Sequence, residues 1–206
     1  PTANLWMTLM DRTAPSETPL SPAIAARWSP RSFLPDAVPE AALRQVLEAA
    51  RWASSAYNEQ PWQYLITRKD NEPEAHAKLL ACLVPFNQGW ANAAPVLMLA
   101  CARVNFAEKG NPNRWAEYDT GQATSAMAIE AASLGLQIHQ MAGFDAAASR
   151  AAFAIPEDVT PVAALVLGKP GPASALPEAL AQRETAPRGR KPAAQMFFAG
   201  AWGQPV

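Results

Sequence analysis

Prolines set the grain of this chain: it has twenty in 206 residues, against a usual share of about 5%. Each fixes its own φ and lacks a backbone donor, so it starts helices and bounds strands but rarely lies inside them. Short elements follow from that punctuation. Ser21, with Pro22 at the first helical position, predicts a short helix through Ile24 toward Arg27. From Pro39, the residues Leu43, Val46, Leu47, Ala50 and Trp52 recur at helical spacing, giving a helix to about Ala53. Ser54 to Pro61 reads as a loop, and Trp62 to Thr67 alternates as a strand.

Residues 72–84 predict another helix, Pro85 to Trp90 a loop, and Pro95 to Ala102 a buried strand. Residues 114–134 predict the longest helix, closed by Gly135 at the position just past its end. Leu136 to Met141 reads as extended and Gly143 as a turn. Asp145 caps a helix to about Phe153, and Pro161 to Leu167 is a strand. Past Gly168 the chain is rich in Pro, Gly and Ala, and no element is assigned there. Helices and strands intermix without a βαβ rhythm, so the class is α+β with a mostly antiparallel sheet flanked by helices. Residues 1–20 read as a loose arm and 21–206 as a single domain.

Several functions are argued against. Seventeen basic and 18 acidic residues nearly cancel, so neither nucleic acid nor a membrane surface is the expected partner. The longest purely apolar run, Ala93 to Ala102, is ten residues including Pro95, well short of the roughly 20 a membrane helix needs. The first residues show no basic region followed by an apolar core, and Cys82 and Cys101 lie in apolar runs without CxxC spacing. A cytoplasmic location and no metal or disulfide are the expectations. His76 and His139 are the two histidines, with no HExxH pattern, and GxGxxG is absent. Chemistry in such a chain is expected to come from something other than its side chains.

Three stretches carry candidate chemistry. Arg27, Ser29 and Arg31 alternate, so in an extended segment they face one way and could converge on an anion; a solvated basic loop is the plainer alternative. Arg188, Arg190 and Lys191 form a second basic cluster, which as a lone feature is a solvated tail. Ser55, Ala56, Asn58 and Gln60 follow a helix and precede a strand. Amides there suit the edge of a heteroaromatic ring, or simply a turn. Gly143 would admit a flat ligand against the backbone, and His139 is more often structural than a base.

In order along the chain, these pieces resemble the nitroreductase family of FMN flavoproteins. The resemblance rests on Arg27-Trp28-Ser29-Pro30-Arg31-Ser32-Phe33, Ser54 to Trp62, Leu134-Gly135-Leu136, Gly143-Phe144-Asp145, Leu165 to Gly168 and Pro187 to Pro192, and spans about residues 21–203. It implies an α+β homodimer with FMN at the interface and a C-terminal tail, Phe197-Phe198 to Trp202, embracing the partner. It also implies that Arg27, Arg31, Arg188 and Arg190 hold the phosphate and ribityl end, with Trp28 and Ser29 alongside. Ser55, Ala56, Asn58 and Gln60 would meet the flavin from the partner subunit, Asn87 would touch the ring, and Gln140, Met141, Ala142 and Gly143 would cover one ring face and its N5.

The implied activity is ping-pong hydride transfer from NADH or NADPH through FMN to nitroaromatic, quinone or related acceptors, with no catalytic side chain. Phe106, Trp115 and Tyr118 are the candidate acceptor contacts. A non-catalytic flavin or small-ligand binder, or a relative with specialised flavin chemistry, is the alternative. Two departures stand out: Ser54 replaces a usual Pro, which would loosen its loop, and Ala142 replaces a common acidic residue.

Overall fold

The computed structural model describes residues 12–206, so residues 1–11 of the expected arm lie outside the described residues. Its centre is a four-stranded antiparallel sheet of β1 (Trp62–Arg68), β2 (Val96–Arg103), β3 (Gln137–Met141) and β4 (Val159–Gly168), in the order β1-β2-β4-β3. The two middle strands are apolar on both faces because both faces are covered. Val96, Met98 and Ala100, with Leu165 and Leu167, face α2 (Glu40–Arg51) and α5 (Ala116–Ser133). Leu97, Leu99 and Cys101, with Ala164 and Val166, face a second cluster holding Leu79, Leu83 and Trp90. These come from α3 (Pro73–Ala81), the link after it, and α4 (Pro85–Ala91).

The buried side of α5 is mostly small: Ala116, Ala123, Ala128, Ala131 and Ala132, with Met127. Small residues let α2 and the sheet approach closely. Its buried hydroxyls are satisfied locally: Thr120 Oγ1 donates to the Ala116 carbonyl and Thr124 Oγ1 to that of Thr120, both at 2.8 Å. Tyr64 meets Thr124 Oγ1 at 2.9 Å, and burial pushes the Tyr64 phenol up to about 12. Gly135 ends α5 at φ +71°, with the Leu136 N–H on the Ala131 carbonyl (2.9 Å) and the Gly135 N–H on that of Ala132 (3.2 Å). Those two bonds satisfy carbonyls a helix end otherwise leaves open.

Three expectations need correction. Pro85 to Trp90 is helix α4, not loop: Pro85 starts it, and Trp90 and Ala91 bury its inner side. Helix α7 (Glu178–Thr185) occupies the region past Gly168 that had no assigned element; EALAQRET has good helix formers behind Pro177. α1 (Pro22–Ala26) starts where expected, but the Ser21 side chain makes no capping bond. By contrast Asp145 does cap α6 (Ala146–Phe153), accepting from the Ala148 N–H at 2.8 Å. The described part of the arm is tied down, through the Ala14 N–H on the Ala25 carbonyl at 2.9 Å.

Both histidines serve the fold. His76 is 2% exposed and bonds the Ala94 carbonyl at 3.2 Å; His139 bonds the Pro30 carbonyl at 2.8 Å and lies 4.6 Å from the Trp90 ring. Burial holds both imidazoles below their ordinary value of 6.5, with Lys69 and Arg31 respectively pushing the same way. The unfolded chain therefore binds more protons just below pH 6.5, so stability is full above that value and falls as the pH drops through and below it. Thermal melts from pH 8 to 5 are expected to show this slope, and His139→Gln should flatten it. An unchanged slope in His139→Gln and His76→Gln would contradict the assignment.

Candidate functional site

The segment after α1 is extended and pinned by buried polar groups. Gln137 on β3 accepts from the Trp28 N–H (3.0 Å) and donates to the Ala26 carbonyl (3.1 Å). His139, two residues on and on the same side of β3, holds the Pro30 carbonyl. Glu184 Oε1 accepts from the N–H groups of Arg31 (2.8 Å) and Ser32 (3.0 Å), and the Leu34 N–H reaches the Lys169 carbonyl at 2.9 Å. Burial alternates accordingly: Trp28, Pro30 and Ser32 are buried, while Arg27 and Arg31 are half-exposed and Ser29 exposed. The outward residues share one side.

Guanidiniums gather at this margin. Burial first, and Arg190 second, hold Arg27 below its ordinary value; burial and then Arg27, Arg190 and Arg12 do the same for Arg188. Among the described residues none of Arg27, Arg31, Arg188 and Arg190 forms an ion pair. The arginines are not equivalent. Arg188 donates to the carbonyls of Arg12, Ala25 (3.3 Å) and Arg27 (2.9 Å), so it is largely a clamp. Arg190 is exposed and bonds the carbonyl of Gly189. Arg12, missed in the sequence, lies over Trp28 at 5.0 Å and donates to the Thr185 carbonyl at 3.2 Å. The Nε atoms of Arg12 and Arg31 are buried without a partner. Repelling cations with orphaned donors are a cradle suited to a phosphate, whose oxygens accept several charged hydrogen bonds.

A second loop, after α2, is held by α5. The Ala56 N–H donates to Asp119 Oδ2 at 3.0 Å, and Asp119 is 2% exposed. Ser54 Oγ donates to Gln122 Oε1 at 3.0 Å, so the serine anchors the loop rather than loosening it. Ser55 Oγ accepts from the Gln60 N–H, and the Gln60 side chain donates to the Asn58 carbonyl, both at 3.0 Å. These bonds hold Tyr57, Asn58 and Gln60 at φ of 55°, 56° and 53°, a left-handed region that costs a non-glycine residue about 1–3 kcal/mol. Tyr57 is 89% exposed, with its ring 5.9 Å from that of Phe106. Glu59 ties this loop to the link between β2 and α5 by accepting from the Ala107 N–H at 2.6 Å. Trp115 and Tyr118 pair edge-on at 6.2 Å, at and just past the start of α5, so the aromatic candidates form two pairs, Tyr57 with Phe106 and Trp115 with Tyr118.

The segment after β3 is fixed from α4. Asn87 Nδ2 and the Val84 N–H both donate to the Gly143 carbonyl, at 3.0 and 3.1 Å. A Cβ on Gly143 would lie 2.6 Å from Asn87 Nδ2 and 2.9 Å from Val84 Cγ2, so the chain's own packing favours glycine there. Asn87 also accepts from Trp90 Nε1 at 3.3 Å, which engages both ends of its amide. Gln140 and Ala142 are exposed, whereas Met141 is 4% exposed and belongs to the core.

One chain does not bring these parts together. The arginine margin docks on β3 and α7, while the 54–60 loop precedes β1; these are the two outer strands, about 14 Å apart at about 4.8 Å per spacing. They also sit at opposite ends, since Trp62 pairs with Ala102, and Gln137 with Gly168. The C-terminal tail leaves Phe197 59%, Trp202 93% and Val206 89% exposed. Among the described residues, no helix is long and apolar enough to cross a membrane, and no group of His, Cys, Asp and Glu could hold a metal.

The family model described as the nitroreductase family matches residues 24–169. A crystal structure of an oxidoreductase containing FMN superposes with a TM-score of 0.85 and 34% identity, over 91% of this chain and 94% of that one. An uncharacterized 15.4 kDa protein of Mycolicibacterium smegmatis is 36% identical over 149 residues, 70% of this chain and 99% of its own length. An NADH dehydrogenase of Thermus thermophilus is 38% identical over 80 residues, 39% of this chain and 37% of that protein.

Proposed function

The chain belongs to the nitroreductase family, and from that premise we propose that it is an FMN-dependent oxidoreductase acting as a homodimer. FMN, when bound, supplies hydride transfer at its N5 in a ping-pong cycle, from NADH or NADPH to a nitroaromatic, quinone or related acceptor. The observation that carries this reading is the arginine margin: a pre-ordered extended segment presenting repelling guanidiniums with orphaned donors.

In this reading Arg27 and Arg190 grip the phosphate, with Ser29 and Arg31 on the same side, and Arg188 locks the segment they rise from. Gln140 to Gly143 lie along the ring, held by Asn87. Ser55, Ala56 and Asn58 reach the flavin from the partner subunit, because the loop that bears them is on the far margin of its own sheet. Tyr57, Phe106, Trp115 and Tyr118 then wall the acceptor space, and the exposed tail aromatics cover the second copy. Ala142 offers no side-chain proton or charge there, so any contact at that position is made by backbone. Residues 21–206 form the working domain, with residues 1–20 an N-terminal arm of which Arg12 joins the cationic margin.

The test is a spectrum. Purified protein is expected to carry a yellow flavin that bleaches under anaerobic conditions when NADH or NADPH is added and recovers with a quinone or nitroaromatic. A flavin-loaded protein that bleaches with neither nucleotide would leave a binder and defeat the oxidoreductase reading.

A further inference from the structure

We propose that Glu184 is a positioning residue for the cofactor phosphate, an inference that rests on the FMN reading and assigns a task to a buried carboxylate. Glu184 is 1% exposed, in the last turn of α7. One oxygen, Oε1, takes both the Arg31 and the Ser32 N–H, and the other, Oε2, is buried without a partner. Burying a carboxylate is costly unless it is paired or bonded, and Glu184 forms no ion pair among the described residues. What it holds is the backbone at Arg31 in the middle of the cationic margin.

The rest of that corner points the same way. Ser32 Oγ donates to the Pro172 carbonyl at 2.7 Å, and the Ser32 carbonyl accepts from the Gly171 N–H at 2.8 Å. Gly171 permits this approach, since a Cβ there would lie 2.8 Å from Ser32 Oγ. The Thr185 carbonyl, next to Glu184, receives Arg12. The strap after β4 therefore grips residues 31–32 from several directions, and Glu184 supplies the charge-assisted bonds. With both amides turned inward, the side chains of Arg27, Ser29 and Arg31 are left on the outer side. The ring-facing segments, 54–60 and 140–143, are not touched by Glu184.

That division gives a selective readout. Riboflavin is FMN without the phosphate, so its binding reports the ring site alone. Glu184→Met, which keeps the length but removes both acceptors, is expected to weaken FMN at least about tenfold while riboflavin changes less than about twofold. Glu184→Gln keeps an oxygen for both amides and should stay within about threefold of the wild type for FMN. An unchanged FMN-to-riboflavin ratio in Glu184→Met, an equal loss of both ligands, or a Glu184→Gln protein as impaired as Glu184→Met would each overturn the proposal. If Glu184→Met does not fold, amide exchange on the wild type decides. The Arg31 and Ser32 N–H groups should be protected before FMN is added, and protection appearing only with FMN would refute a carboxylate that orders them beforehand. A wild-type protein that binds neither flavin defeats the FMN reading itself and this inference with it, whereas the outcomes above defeat this inference alone.

Discussion

Arg27→Ala and Arg190→Ala are each expected to weaken FMN binding by about 10- to 150-fold, and to leave riboflavin nearly unchanged. A hydrogen bond to a charged group is worth roughly 1.5–3 kcal/mol, and 1.4 kcal/mol is a tenfold change. Both side chains have guanidinium capacity left for an anion: Arg27 is held down by burial and by Arg190, and Arg190 donates to its neighbour's carbonyl. Because both would serve one phosphate in the proposed site, the double variant should fall short of the product of the two single effects. Arg188 makes an instructive contrast. Its guanidinium spans three carbonyls of the arm and of α1 with its flank, so Arg188→Ala should lower the melting temperature as well as flavin affinity. Equilibrium dialysis with both flavins checks all of this; FMN retained undiminished by Arg27→Ala and Arg190→Ala would remove the cationic margin from the site.

Leu165→Ala is expected to cost about 2–5 kcal/mol of stability, the range for deleting a buried leucine side chain. Leu165 has 0% exposure and sits in β4 between Met98 and Gln140, with α5 closing the core above it. Little around it can collapse into the gap: the helix side is lined by alanines already at close approach, and the strands on either side are hydrogen-bonded. In a chain of this size each kcal/mol lowers the midpoint by roughly 2–4 °C, so a shift near 10 °C is the expected reading. Urea titration should show a lower midpoint at an unchanged slope. A loss below 1 kcal/mol would mean that the sheet is looser than its packing implies.

The sheet was legible because its strands announce themselves chemically. Val96 to Ala102 and Pro161 to Leu167 are apolar runs too short for long helices, and antiparallel alternation puts both sets of faces to use. The helices α4 and α7 were not legible, since Pro85, Asn87 and Gly89 read as turn formers, and Pro-, Gly- and Ala-rich surroundings hid EALAQRET. In α4, burial of Trp90 and Ala91 outweighed weak local preference, whereas the good helix formers of α7 were hidden by their surroundings. At the candidate site, the alternation of Arg27, Ser29 and Arg31 could be read directly, because an extended segment keeps its period. What aligns it could not. Gln137, His139 and Glu184 act from 100 or more positions away, and Asp119 reaches Ala56 across 63. Tyr57 was not legible either: it combines a left-handed backbone, which no propensity of tyrosine suggests, with high exposure.

The placement of the two candidate loops on opposite margins of one sheet has a thermodynamic meaning. In the proposed homodimer each flavin is enclosed by residues from both copies, so occupancy and association are linked equilibria. Linkage is reciprocal: the factor by which pairing strengthens cofactor binding is the factor by which the cofactor strengthens pairing. Dilution then acts as a competitor for flavin although it contributes no molecule to the site. The concentration of the chain itself becomes a setting that determines how much of the enzyme is loaded.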